Sequence, residues 1–293
     1  MRDSFIGRAS TAAAPRVRGN TNEGESMRLR IALGTVMVLA VAVFAATVAS
    51  AAPANNFNCA GGTWTGDPST STFTIIPSGN YSSITVTGVC QPEHGGVINV
   101  SGNIDVAPGG LLDAQSWSST ITVGHNITAD AGSFLGLGCQ PSDAIGRFAG
   151  VPCIDDPNKT VITVNGNITA TNAALVLIRG ATVNGNVSID GGTSDAPWSI
   201  KGNTIGRNLT ISGLTAEFLG VQFNTIGNNA SLTNITVNDE HSPPPGVTIV
   251  SNNVGNNLNC SGLLPFAGDG FFNGVNHVGH KATGQCAAIS VPL

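Results

Sequence analysis

From about residue 98 onward, apolar and polar positions alternate with period two in short bursts, each punctuated by an Asn. Aligned on that Asn, the bursts are Val100-Ser-Gly-Asn103-Ile, Val123-Gly-His-Asn126-Ile, Val164-Asn-Gly-Asn167-Ile, Val183-Asn-Gly-Asn186-Val, Ile205-Gly-Arg-Asn208-Leu, Ile226-Gly-Asn-Asn229-Ala and Val254-Gly-Asn-Asn257-Leu, with Val278-Gly-His-Lys281-Ala as a degenerate eighth copy. The steps are 23, 41, 19, 22, 21, 28 and 24 residues, and 41 reads as about two repeats. Three positions before the anchor every residue is β-branched: Val100, Val123, Val164, Val183, Ile205, Ile226, Val254 and Val278. One and three positions after it the residues are mostly aliphatic, and between them stand Asp105, Thr128, Thr169, Ser188, Thr210, Ser231, Asn259 and Thr283. Such alternation is a strand with one buried face. Gly and Asn between the two strand pieces predict a tight turn at positive φ.

One strand-turn-strand unit cannot bury its apolar face alone, whereas stacked units do so and pair their backbones with the rungs on either side. The pattern therefore predicts an all-β chain: a single-stranded parallel β-helix, right-handed, of roughly nine rungs about 4.8 Å apart, with covered ends. The Asn column predicts an amide ladder. Leu263 to Phe272, which breaks the repeat, is expected to lie over the last rung.

Asn203-Thr-Ile-Gly-Arg-Asn-Leu-Thr-Ile, Asn224-Thr-Ile-Gly-Asn-Asn, Asn252-Asn-Val-Gly-Asn-Asn-Leu and the closing Gly284-Gln285-Cys286 resemble a group of poorly characterised exported bacterial β-helix proteins. The resemblance covers most of residues 80–286. It implies the architecture and brings no catalytic motif with it.

Ahead of the repeats, Met27-Arg28-Leu29-Arg30, the apolar run Ile31 to Val48 and Ala49-Ser50-Ala51 read as a secretory signal cut after Ala51. The competing reading is a retained anchor, since eighteen apolar residues can just span a bilayer. Residues 1–26 read as an extension ahead of a true start at Met27. The expected organisation is thus 27–51 leader, 52–98 N-terminal cap and first rungs, 99–259 repeats with a disulfide-tied loop at 139–153, and 260–293 C-terminal rung and cap. Export permits disulfides. The six cysteines allow fifteen pairings, and chain order suggests Cys59–Cys90, Cys139–Cys153 and Cys260–Cys286.

Charge narrows the partners. Six of the 12 Lys+Arg are arginines in the first 30 residues, so residues 31–293 hold six cations against fourteen Asp+Glu. A body that acidic offers no basic stripe for nucleic acid and suits a polyanionic polysaccharide poorly. No membrane contact is expected once the leader is removed. An extracellular glycan or envelope component is the partner class that remains.

Candidate chemistry is sparse. Asp105 and Asp130 sit on neighbouring repeats, both outward, on the order of 8 Å apart, inside the window of an inverting glycosidase, yet a cleavage site also needs a groove and aromatic platforms. Asp155-Asp156 lacks the alternating oxygen ligands of a Ca²⁺ loop. His277 and His280 point apart on a bent rung, and Asp239-Glu240-His241 reads as an exposed loop. No metal or cofactor is expected. The sequon-like triplets at Asn126, Asn167, Asn186, Asn208 and Asn229 follow from the repeat itself. A second hydroxyl column stands four before the anchor (Thr122, Thr163, Thr182, Thr204, Thr225), so an ice-binding ladder is a minor alternative, although the turn between the columns breaks flatness. The leading expectation is a secreted, non-enzymatic structural, adhesive or surface-binding module. The alternative is a polysaccharide-cleaving hydrolase or lyase using Asp105 and Asp130.

Overall fold

The computed structural model describes residues 55–67, 69–140, 152–155, 157–238, 246–270 and 272–293. The leader and the extension before it, Asp156, Asp239-Glu240-His241, Phe271 and most of the loop between Cys139 and Cys153 lie outside the described residues.

The chain is a parallel β-solenoid whose strands form one continuous sheet wound into coils with three faces. The first face runs through Val97–Val100, Thr120–Val123, Val161–Val164, Thr182–Val183, Thr204–Ile205, Thr225–Ile226, Asn253–Val254, Asn276–Val278 and Ser290–Pro292. Here the β-branched column is piled in register, Val100 on Val123, Val164, Val183, Ile205, Ile226, Val254 and Val278, none more than 2% exposed. The second face carries the strands after the anchor, from Ile104–Val106 and Ile127–Ala129 through Val187–Asp190 and Leu209–Ser212 to Lys281–Gly284. Ile104, Ile127, Ile168, Val187, Leu209, Ala230 and Leu258 stack beneath it.

The third face is absent from the two-strand repeat read in the sequence. It stacks nine strands: Thr74–Ile76, Val89–Pro92, Leu111–Ala114, Phe134–Leu137, Leu175–Arg179, Thr193–Lys201, Thr215–Gln222, Val247–Val250 and Ala267–Gly268. Leu112, Leu135, Val176, Trp198 and Leu219 point inward from it and close a single core, with Trp198 fully enclosed. Burial of each such side chain contributes roughly 1.5–3 kcal/mol.

Three sequence expectations change. The 41-residue step is one coil, not two, because Val123 pairs directly with Val164 and Ile127 with Ile168. The surplus residues leave the third face after Phe134–Leu137 as an excursion, and a disulfide ties its base, Cys139 to Cys153, at a Cα–Cα distance of 5.0 Å. Second, Leu263 to Gly268, expected over the last rung, is wall rather than lid. Leu263 is buried in register with Ile235, Ala267–Gly268 continues the third face, and further strands follow at Lys281–Gly284 and Ser290–Pro292. Third, the glycines beside the anchor are not at positive φ, and neither are the anchor asparagines. Glycine is needed there for close approach between coils: a Cβ on Gly206, Gly227 or Gly255 would lie 2.5, 2.3 or 2.2 Å from a backbone oxygen of the preceding coil.

Two further disulfides stitch the ends. Cys59–Cys90 joins the second face of the first coil to the third face above it, and Cys260–Cys286 joins the last two levels of the second face.

Candidate functional site

The anchor asparagines line the corner between the first and second faces as a continuous ladder. Asn126 donates its backbone N–H to Asn103 Oδ1 at 3.0 Å, and from Asn167 on each donates its backbone N–H and its Nδ2 to Oδ1 of the Asn one coil earlier, at 2.9 and 3.2 Å from Asn167 to Asn126, 2.8 and 3.0 Å from Asn186 to Asn167, and 3.2 and 2.9 Å from Asn208 to Asn186. The row extends to Asn229 and Asn257. Nδ2 of Asn167, Asn186, Asn208 and Asn229 is thereby committed, so a glycan on any of them would cut the ladder.

Beside this row the exterior of the second face is regular, because its strands pair in register from coil to coil. Two columns project from it. The nearer holds Thr128, Thr169, Ser188, Thr210 and Ser231, the farther Thr171, Asp190, Ser212, Thr233 and Ser261, all exposed or half-buried. The farther column escaped the sequence reading, although the same period two continues into it. Together with the asparagines, the nearer column lines a shallow trough of ≈ 450 Å³ spanning Asn167 to Ser231 with no ionisable side chain in it. The Thr122, Thr163, Thr182, Thr204 and Thr225 column stands in register on the first face, so it and the Thr128 column do not share a plane.

Asp105 and Asp130 stand on neighbouring coils of this open second face. The Asp105 carboxylate accepts the Thr128 hydroxyl at 2.7 Å, and Asp130 is exposed. Asp130 follows the strand Ile127–Ala129, one coil after Asp105. His277 and His280 are both exposed, the first on the first face beside the buried Asn276 and the second at the corner. Among the described residues no group of three His, Cys, Asp or Glu is placed to hold a metal ion.

A second polar cluster lies where the Cys139–Cys153 excursion returns to the body. Asp155 takes the Ser118 backbone N–H at 3.0 Å, the Ser118 hydroxyl, and Nε2 of His94 at 2.8 Å, while the His94 ring lies 4.6 Å from that of Trp117. Burial works against the charged form of Asp155, but the bonds from Ser118 and His94 outweigh it and hold the carboxyl well below the usual range. An open trough of ≈ 500 Å³ adjoins it, edged by Ser119, whose buried hydroxyl makes no hydrogen bond, and by Lys159. Ser118, Asp155 and His94 do not form a nucleophile relay. The carboxylate lies between serine and imidazole, so the imidazole cannot take the serine proton.

Among the described residues, the third face carries two largely enclosed cations. Arg179 and Lys201 occupy the same position on consecutive coils, and Arg179 donates to Gln115 Oε1 at 2.8 Å. Burial pulls Arg179 down to about 10, and burial together with the Arg179 charge pulls Lys201 down to about 8.

No helix among the described residues is long and apolar enough to cross a membrane. Comparison of the chain with protein-family models, with curated proteins and with solved structures finds no match.

Proposed function

We propose that the chain is an exported, non-enzymatic binding module that lays its second face on a neutral, repeating extracellular surface such as an envelope polysaccharide. The observation that carries this reading is the trough beside the asparagine ladder from Asn167 to Ser231, where amides and hydroxyls repeat once per coil and no charged side chain is in the lining, Asp190 standing outside it in the farther column. Regularly spaced small donors and acceptors suit a periodic partner better than a compact ligand. The acidic body disfavours a polyanion. Three disulfides agree with folding outside the cytoplasm, and so does the Met27 to Ala51 leader. The asparagine repeats remain our ground for placing the chain beside exported bacterial β-helix proteins.

The test is retention of the purified chain on insoluble cellulose, chitin and peptidoglycan, with Thr210→Lys and Thr169→Lys as variants. We expect salt-insensitive retention on at least one matrix, lost in either variant with the fold intact. Absence of retention on all three overturns the proposal, and so does release of sugar that Asp130→Asn abolishes. A second reading, ordered water, is favoured by one feature: the Thr169 and Thr171 columns share one sheet, about 7 Å apart across it and about 4.8 Å along it. Thermal hysteresis of freezing that disappears in Thr210→Lys would select that reading.

A further inference from the structure

The exterior of the third face departs from the rest of the solenoid. Its outward column near the N-terminal end is apolar, with Val89, Leu111, Phe134 and Leu175 in register on successive coils. The matching columns of the second face hold hydroxyls and acids. Over this stripe stands Trp64, 40% exposed, its ring 6.1 Å from that of Phe134 and tilted by 32°. Trp64 belongs to no coil. It is carried on an excursion closed by an antiparallel pair, Thr63 with Thr72, at 2.9 and 3.0 Å, and braced by Asp67, which takes the Ser69 amide and hydroxyl at 2.8 and 2.7 Å.

Trp64 and the stripe together line a trough of ≈ 380 Å³, at the small end of the roughly 300–1,000 Å³ range of ligand sites. Its turns are kept bare: a Cβ on Gly66 or Gly109 would meet nothing within 4 Å, and one on Gly132 only a backbone nitrogen at 3.9 Å. Among the described residues none that lines it is ionisable, and Ser194 supplies a hydroxyl side chain.

We propose that this trough is a subsite for one or two neutral pyranose units of a polysaccharide chain. The inference rests on the extracellular-binding reading above and names a ligand class for it. A pyranose has one face of C–H groups and a rim of hydroxyls. The C–H face packs on the electron-rich face of an aromatic ring, here Trp64 with Phe134 beside it, and the rim remains in water on the open side. A lipid chain would need an enclosed apolar bed. A uronate or sulfated sugar would find no cation in the lining and an acidic body around it. The third face thus grips a strand of sugar by stacking, whereas the second face lies against a surface.

The experiment is a tryptophan-fluorescence titration of the whole disulfide-bonded chain with hexamers of glucose, N-acetylglucosamine, xylose and mannose, and with hexagalacturonate as the anionic control. At least one neutral hexamer should bind saturably. Trp64→Ala should weaken it at least tenfold with an unchanged melting temperature, and Trp64→Phe should retain it within a few-fold; these variants are read by calorimetry. Failure of all four neutral hexamers overturns the proposal. So does binding indifferent to Trp64→Ala, preference for the galacturonate, or a dimer in sedimentation velocity that Trp64→Ala dissolves. Matrix retention that needs Thr210 but not Trp64, without hexamer binding, removes this subsite and leaves the second-face reading standing. Hexamer binding that needs Trp64, with retention indifferent to Thr210, does the reverse.

Discussion

At the scale of single residues, the Asn-Thr-Ile-Gly-x-Asn motif resolves into two ladders with opposite sense on either side of one short strand. In the half-exposed row each amide donates to the coil before it. In the other row, Asn203, Asn224, Asn252 and Asn276, all but fully buried, donate to the coil after them, Asn224 giving its N–H and Nδ2 to Asn252 Oδ1 at 3.0 and 2.9 Å and its Nδ2 also to Ile200 O at 2.8 Å. The two rows of amide dipoles therefore run antiparallel along the axis. Removing Asn224 strips partners from buried groups on the coils before and after it, and each orphaned group costs about 1–3 kcal/mol. Asn224→Ala should lose on the order of 3 kcal/mol or more in urea unfolding, whereas Asn229→Ala, at the wet end of the other row, should lose about 1 kcal/mol, because water replaces its partners. Equal losses would mean that the buried ladder is not what fixes the coils. The glycine between the rows makes a separate demand. Gly227→Ala must push two coils apart, since its Cβ would sit 2.3 Å from Gly206 O. It should destabilise by more than the roughly 1 kcal/mol that alanine gains over glycine in chain entropy, with a net loss measured in the same urea series.

At the scale of elements, legibility depended on how constant the spacing from the anchor is. The first and second faces lie within a few residues of the Asn in every coil, so their columns align in the sequence and could be read as stacked strands. The third face could not. Its inward residues Leu112, Leu135 and Val176 fall nine after the anchor, but Trp198 falls twelve after and Leu219 eleven after. The strand Thr193–Lys201 also slips register between Ser194 and Pro197. Corner loops absorb such changes at little cost, so a column exact in space is smeared in sequence. The same loops produced the misreading of the 41-residue step. The hydroxyl trough was half legible, through the Thr169 column, whereas the Trp64 trough was invisible, because its aromatic roof and its floor come from an excursion and from five coils of the least periodic face. Disulfides are placed where stacking is weakest, at the first coil, at the base of an excursion and at the last level. Closing the 26-residue span from Cys260 to Cys286 is worth about 3 kcal/mol in a chain-entropy account. In a solenoid that loss stays local. The Cys260→Ser, Cys286→Ser double variant should therefore speed hydrogen exchange of the amides in Lys281–Gly284 by about a hundredfold while leaving Val187–Asp190 protected; a uniform loss along the axis would contradict it.

At the scale of the whole molecule, the inside of the coils and what is attached to them are held by different forces. The spine is held by aliphatic columns and neutral amides, neither of which titrates in acid. The excursion that begins past Leu137 is held differently. Where it returns, Ile154 N–H reaches Ser116 O at 2.8 Å, Thr160 Oγ1 reaches Trp117 O at 3.1 Å, and Asp155 binds Ser118 and His94. The Asp155 carboxyl ionises more readily in the folded chain than in the unfolded one. Its contribution is therefore complete above the ordinary aspartate range, near pH 4, and drains away as pH falls through the lowered folded value. Protonation removes the charge that both partners address, and the disulfide between Cys139 and Cys153 prevents the excursion from leaving altogether. Acid should thus loosen the excursion while the coils stay wound. Hydrogen exchange, corrected for intrinsic rates, should show the amides of Ile154 and Asn158 losing protection between pH 5 and 2 while those of Ile162 and Val183 keep theirs. Asp155→Asn should show the loosened excursion already at pH 7 and no further change on acidification. If acid instead releases Ile162 and Ile154 together, the excursion is part of the spine's cooperative unit.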